Sequence, residues 1–171
     1  MMDVESMVTV LHGRGAMTRF EDDELRELVA ACELNPVQAK AALWIAGDVR
    51  SHAYILVNGR LERSTKTHTG RVTQQHSEPG TILSISSLVN PWAYHGSCYA
   101  LERTELLALS RAKFIELFDA RADVAYKLVD AIGEYLVADM RKANERLQEV
   151  FGRPAETLMM LRRRIREDSK A

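Results

Sequence analysis

The sequence contains little cysteine and no long hydrophobic run. Cys32 and Cys98 are the 2 cysteines of the 171-residue chain, and they form no CxxC pair. We therefore expect a reducing, cytoplasmic setting and no structural disulfide. The N-terminal segment carries acidic residues and only the short apolar run MVTV. This run is too short for a signal peptide or a membrane span, so no membrane association is predicted.

The chain also lacks an excess of charge of either sign. Lys and Arg number 23 against 24 Asp and Glu, which gives a formal net charge of −1. This balance provides no global electrostatic reason to expect nucleic acid or an anionic membrane as a partner. The charge is unevenly placed, with acids at residues 21–24 and an arginine-rich segment over 162–166.

Patterns typical of metal sites and of catalysis are missing. The 5 histidines are dispersed and show neither HxxxH nor Cys/His spacing. Glu102, Glu105 and the serines of the predicted strands form no nucleophile elbow and no paired-carboxylate setting. We therefore expect a protein that is not an enzyme and that has no metal or cofactor.

Hydrophobic patterning predicts a loose start followed by a helix. Residues 1–19 contain Gly13 and Gly15 and show no clear periodicity, which predicts a flexible arm. Helical spacing begins at Phe20, and the acids of 21–24 occupy a first turn where the helix dipole favours negative charge. The Asn35-Pro36 pair is expected to end this helix.

Residues 37–110 have the pattern of an antiparallel β structure. Short apolar runs alternate with turn signals such as Asn58-Gly59 and Thr69-Gly70, which suit hairpins that need positive φ. The even spacing of these turns favours a sandwich or roll. No alternation of strands and helices occurs, and this argues against a doubly wound α/β fold.

After Ser110 the pattern is helical. The segment RAKFIELF predicts a short helix, and a long helix follows from about Asp123. A helix this long with a wide apolar face needs two surfaces to cover it, its own roll and a second copy. The residues predicted to form the homodimer are Val129, Ile132, Leu136, Met140, Ala143 and Leu147.

The order helix, β-roll, short helix and long helix over residues 20–151 resembles the cyclic-nucleotide-binding domain of Crp/Fnr-type regulators. The matching segments are Gly47-Asp48, Tyr54–Gly59, Pro79-Gly80, Ala100–Glu102 and Ser110–Phe114. The resemblance implies an α+β fold: an antiparallel, jelly-roll-like β-roll flanked by an N-terminal helix and a long C-terminal helix. It divides the chain into an arm (1–19), the domain with its dimerisation helix (20–151) and a short basic helix (152–171).

The resemblance also places a phosphate-binding cassette at residues 80–88. The family has a glycine and a glutamate where this chain has Ser84 and Ile85, and the family's arginine falls on Tyr94. In the family, the guanidinium clamps a cyclic phosphate and the glutamate accepts a ribose hydroxyl. A phosphate without its arginine loses a charge-assisted bond of about 1.5–3 kcal/mol. Cyclic AMP is therefore not expected to bind in the usual way.

Two interpretations of this degenerate cassette are open. In the first, the roll holds a different ligand, and its pocket is lined by Ser84, Ile85, Ser86, Ser87, Tyr94, His95, Gly96, Asp139 and Met140. In the second, which we favour, Ser86 and Ser87 are turn residues and the aromatic side chains of Trp92 and Tyr94 fill the emptied space as core.

The C-terminal residues bear on the output of the protein. The segment 152–158 resembles the hinge and first helix of a Crp/Fnr DNA-binding module, and the sequence stops at Ala171, before a helix-turn-helix. Nucleic acid is therefore not an expected partner. We expect a non-enzymatic cytoplasmic regulatory module, a homodimer that acts through protein–protein contacts. A sensor of another nucleotide or small molecule, or a remnant of a Crp/Fnr-type transcription regulator, are the alternatives.

Overall fold

The computed structural model describes residues 3–67, 70–151 and 158–159. Two compact units are present, one that ends at Ile132 and one that begins at Gly133, and each is described by itself. The helices are α1 (Val4–Leu11), α2 (Asp22–Ala31), α3 (Arg111–Asp119) and α4 (Asp123–Phe151). Two 3₁₀ helices span Gly15–Arg19 and Ile85–Leu88.

The strands in the described residues form two four-stranded antiparallel sheets. The first sheet has the order β1-β8-β3-β6 and the second β2-β7-β4-β5. The strands are β1 (Glu33–Val37), β2 (Ala42–Trp44), β3 (His52–Asn58), β4 (Leu61–Thr67), β5 (Gly70–His76), β6 (Ile82–Leu83), β7 (Gly96–Ala100) and β8 (Thr104–Ser110). The predicted α+β fold with an antiparallel β-roll and a long C-terminal helix is confirmed.

The first sheet is buried on both faces. Ile55 and Val57 of β3 pack into a core with α1, α2, α3 and the start of α4. Leu56, between them in the sequence, packs into a second core with Trp44 and Cys98 of the second sheet. Successive residues of a strand point to opposite faces, so β3 serves both cores.

The prediction of a flexible arm over residues 1–19 is wrong. Met7, Val8 and Leu11 of α1 are buried in the helix-side core, and so is Met17 of the 3₁₀ helix. The Asp3 carboxylate caps α1 by accepting a 2.8 Å hydrogen bond from the Ser6 amide. An isolated helix of this length is unstable in water, so tertiary packing determines that α1 forms.

The structure also corrects the roles of two turn signals. Asn35 and Pro36 lie in β1 and pair with Leu106 and Glu105 of β8, so α2 ends earlier than predicted and the β region begins at Glu33. Proline is tolerated because β1 is an edge strand. Asn58-Gly59 closes no hairpin, since β3 and β4 belong to different sheets.

The C-terminal helices and the β4–β5 hairpin can be compared with their predictions one by one. The β4–β5 hairpin, in which Thr67 pairs with Gly70, and the helices α3 and α4 are confirmed. Ile132, predicted for the dimer surface, is buried in the core of its own unit, and this corrects its assignment. The predicted basic helix over 152–171 lies outside the described residues, apart from Leu158 and Met159, which are helical.

Candidate functional site

The cassette predicted from the sequence, residues 80–88, contains β6 and the 3₁₀ helix Ile85–Leu88. Ser84 adopts the left-handed conformation, with φ of 57° and ψ of 31°. Glycine adopts this conformation without strain, whereas for other residues it raises the conformational free energy by of order 1–3 kcal/mol. The backbone turn that suits the family's glycine is therefore present here with a serine.

The serine hydroxyls of the cassette are bonded to protein groups. The Ser84 and Ser87 hydroxyls share a short hydrogen bond. Ser86 accepts a bond of 3.2 Å from the Arg50 guanidinium. The Ser87 carbonyl accepts a bond of 2.9 Å from Nε of Arg111. Because Ser86 and Ser87 are buried as well, they stabilise the cassette itself, as the second interpretation expects.

Tyr94 lies beside the cassette and is buried, with 8% of its surface exposed. Its ring stacks on Trp44, with centroids 4.5 Å apart and planes inclined by 10°. The Ser84 hydroxyl donates to the Tyr94 hydroxyl at 3.0 Å, and the Arg50 guanidinium lies 5.2 Å from the ring centroid. Tyr94 is thus a core residue held by stacking, a hydrogen bond and a cation–π contact.

The chain is similar in sequence to a known domain family. The sequence model of the cyclic nucleotide-binding domain matches residues 34–121, which is just over half of the 171-residue chain. The chain belongs to the cyclic nucleotide-binding domain family. No curated protein matches it.

Several solved structures share the fold of this chain. The N-terminal domain of a transcriptional regulator from Streptomyces coelicolor A3(2) matches with a TM-score of 0.65 at 22% identity, over 81% of this chain and 94% of that one. The catabolite activator protein of Thermus thermophilus matches with a TM-score of 0.68 at 22% identity, over 87% and 71%. A cyclic nucleotide-binding-like protein from Brucella abortus matches with a TM-score of 0.54 at 26% identity, over 66% and 97%.

Arg50 contacts the cassette, and sequence reasoning missed it. It lies in the loop before β3, far along the chain from Ser86, and its guanidinium reaches the cassette because strand pairing brings the two segments together. Its Nε atom is buried without a hydrogen-bond partner in the described residues. No local pattern around Arg50 indicates this contact.

Two more basic groups of this family domain belong to the inner face of the second sheet. Arg63 pairs with Cys98, which is buried in the core between the sheets, and His76 pairs with Leu61 of the same core. The His76 Nε2 atom is buried without a partner in the described residues. Burial, and secondly the charge of Arg63, lowers the pKa of His76. Burial raises the pKa of the Cys98 thiol to about 12.

The remaining residues of the predicted pocket lie elsewhere. His95 and Gly96 line an open cavity of ≈ 400 Å³ together with Ser64, Lys66 and Arg71, and none of the cassette serines lines it. Trp92 is 72% exposed and fills no pocket, which corrects the core role considered for it. Asp139 and Met140 belong to the second unit and are exposed there, and their place in a pocket stays a prediction.

The described residues contain neither a metal-binding cluster nor a membrane-spanning helix. No cluster of three or more His, Cys, Asp or Glu side chains that could hold a metal ion occurs among them. No helix in the described part of the chain is long and apolar enough to cross a membrane.

Proposed function

We propose that this chain is a non-enzymatic cytoplasmic regulatory module of the cyclic nucleotide-binding domain family that does not bind cyclic AMP in the family's usual way. It acts through protein–protein contacts and forms a homodimer. The observation that supports this proposal is the buried Tyr94, which stands at the position that the family resemblance assigns to the phosphate-binding arginine.

The contacts of Tyr94 and Ile85 explain why a cyclic phosphate would bind poorly. The Tyr94 ring packs against Trp44, and its hydroxyl already bonds Ser84. A phenol offers a phosphate one donor and no charge, whereas an arginine offers two parallel charged donors. Ile85 is buried and has no group that could accept a ribose hydroxyl.

Exposed apolar side chains of α4 support the protein contacts. Leu136, Met140 and Leu147 step along the helix by four and seven residues and are each exposed by 45–66%. This spacing places them on one side of the helix. Contiguous exposed apolar surface of this kind is typical of protein–protein contacts.

Isothermal titration calorimetry with cyclic AMP and cyclic GMP tests the ligand half of the proposal. The wild-type protein is expected to show no binding heat at about 100 μM of either nucleotide, a range in which a Kd near 1 μM is easily measured. The matched variant carries Ile85→Glu and Tyr94→Arg, which restore both family side chains, and it is expected to gain binding. Tight binding of either nucleotide by the wild type would contradict the proposal.

A ligand of different chemistry in the roll is a second candidate function. It is favoured by the buried and unpartnered nitrogens of Arg50 and His76, because buried polar atoms without partners are rare in native proteins. Such a ligand would accept a hydrogen bond from Nε of Arg50, or would pair with Nε2 of His76 as donor or acceptor according to the tautomer of the ring. Native mass spectrometry of the protein purified under mild conditions tests this candidate. A bound small molecule that the Arg50→Met and His76→Phe variants lose would support it. A wild-type spectrum that shows only the mass of the protein would argue against it.

A further inference from the structure

The outer face of the second sheet carries a row of basic side chains. Lys66 of β4 pairs directly with Arg71 of β5. On the other side of β4, Thr65 pairs with Gly96, so the register continued by one residue brings His95 level with Lys66. Paired residues point to the same face of a sheet, and all three residues line the same cavity.

The face that carries this row points away from the core. Leu61 of β4 and Cys98 and Ala100 of β7 are buried between the sheets. Lys66 lies an odd number of residues from Leu61, so it points to the opposite face. Arg63, an even number of residues from Leu61, shares the inner face instead.

No acid in the described part of the chain forms an ion pair with the row. The acid of β4, Glu62, lies four residues from Lys66, about 13 Å along the strand, and accepts a hydrogen bond from Gln75. Like charges placed directly opposite each other destabilise a sheet, so an anion bound between Lys66 and Arg71 would relieve their repulsion.

The rest of the cavity offers the groups that a phosphate ester needs. Ser64 and Ser97 pair with each other in the next row and add two hydroxyls. Tyr99 lies beside them and is partly exposed, which leaves its ring available for stacking. The cavity volume of ≈ 400 Å³ is within the range of about 300–1,000 Å³ that is usual for small-molecule sites.

We propose that this outer face binds a phosphorylated small molecule, with the phosphate held by Lys66, Arg71 and His95, and with Ser64 and Ser97 as hydroxyl partners. The phosphate can belong to a nucleotide, which would also stack on Tyr99, or to a compound without a base. The site is separate from the cassette and from the inner face of the roll, so it does not depend on the function proposed above.

Isothermal titration calorimetry at low ionic strength tests this site with three probes: AMP, inorganic pyrophosphate and adenosine. The variant is the double change Lys66→Gln and Arg71→Gln, and the matched control is Arg63→Gln, on the opposite face of the same strand. We expect both phosphates to bind the wild type and adenosine not to bind. The double variant should weaken phosphate binding by about tenfold or more, because it removes two charge-assisted bonds. The Arg63→Gln variant should bind within about twofold of the wild type, because it leaves those bonds in place.

Amide chemical shifts provide the second readout, since titration of AMP should move the Gly96 and Ser97 resonances. AMP binding tighter than pyrophosphate binding would identify a nucleotide site, and the reverse a site for phosphates without a base. The proposal is overturned if neither phosphate binds the wild type, or if Arg63→Gln loses binding and the double variant keeps it. Duplex DNA binding without binding of either small phosphate would also overturn it.

Discussion

At position 94 a phenol ring occupies the place to which the family resemblance assigns a guanidinium. The ring stacks on Trp44, and Trp44 in turn stacks on Tyr54 with centroids 5.8 Å apart. Burial, and secondly interaction with Tyr94 and Cys98, raises the pKa of Tyr54 to about 12. The interior beside the cassette is therefore an aromatic cluster in which the neutral form of Tyr54 is stabilised.

Substitutions at Tyr94 should separate its packing from its hydrogen bond. We expect Tyr94→Ala to lower the free energy of unfolding by about 3–5 kcal/mol, because it leaves a cavity against Trp44. Tyr94→Phe removes only the acceptor of the Ser84 hydroxyl, and should cost about 1 kcal/mol. Urea unfolding measures both. The control is Trp92→Ala, at an exposed position, whose free energy of unfolding should stay within about 0.5 kcal/mol of the wild type. If Tyr94→Ala lost no more stability than Trp92→Ala does, the packing role of Tyr94 would be contradicted.

His76 should make stability depend on pH. Its folded-state pKa lies below the ordinary value of 6.5, so the folded state binds the proton less well than the unfolded chain. The contribution of His76 to the free energy of unfolding is therefore fully present above pH 6.5 and is lost as the pH falls through the folded-state pKa. Melting temperatures between pH 7.5 and 5 measure the effect. A His76→Gln variant should lose less stability over this range than the wild type, and an identical loss would argue against the assignment.

At the scale of elements, α1 and β1 show how tertiary contacts override local signals. α1 contains buried residues at positions 7, 8 and 11, which is the spacing of an amphipathic helix, but it has only about two turns in which to show it. In β1, Pro36 fits because an edge strand bonds a neighbour on one side. Both elements depend on partners that are distant in the sequence.

A substitution in α1 should reveal its share of the core. Leu11 is completely buried, and we expect Leu11→Ala to lower the free energy of unfolding by about 2–5 kcal/mol. Val4, on the same helix, is 42% exposed, so Val4→Ala should cost less than about 0.5 kcal/mol. Denaturant unfolding followed by circular dichroism compares the two variants. Equal costs would mean that α1 does not contribute to the cooperative core.

At the scale of the whole molecule, α4 connects the fold with the proposed homodimer. Its first turns supply Val124, Ala125 and Leu128 to the helix-side core. Further along, the helix exposes Leu136 and Met140. An apolar side chain that stays in water loses the roughly 1.5–3 kcal/mol that its full burial would contribute, and this is the physical reason for proposing that two copies associate.

Charged substitutions on α4 test the homodimer. We expect the wild type to be a dimer at tens of micromolar, and the double change Leu136→Glu and Met140→Glu to convert it to a monomer, because a buried carboxylate without a partner is strongly unfavourable. Light scattering coupled to size-exclusion chromatography measures the mass. Lys142→Glu, an exposed polar position of the same helix, is the control and should leave the mass unchanged. A monomeric wild type would contradict the proposed dimer.

Much of the fold could be predicted from the sequence, whereas the composition of the site could not. The helices α3 and α4 and the β4–β5 hairpin follow from patterns within a few residues of each other, and the resemblance led to the right family. The predicted pocket mixed two groups that the structure distinguishes: Tyr94 packs at the cassette, while His95, its neighbour in the chain, lines the cavity of the outer face. Adjacent residues of an extended chain point to opposite faces of a sheet. A shift of one residue in the register would therefore exchange Tyr94 and His95 between the cassette and the outer face.

Local patterning by itself determined the type and order of most elements, because hydrophobic periodicity and turn residues act over short stretches of chain. The partners across the fold were decided by tertiary packing. Arg50 reaches Ser86, and Trp44 stacks on Tyr94 and donates to the Gly96 carbonyl, only once strands distant in the sequence are paired. The basic row of Lys66, Arg71 and His95 likewise exists only in the register of three strands, since the sequence separates its members and the sheet aligns them.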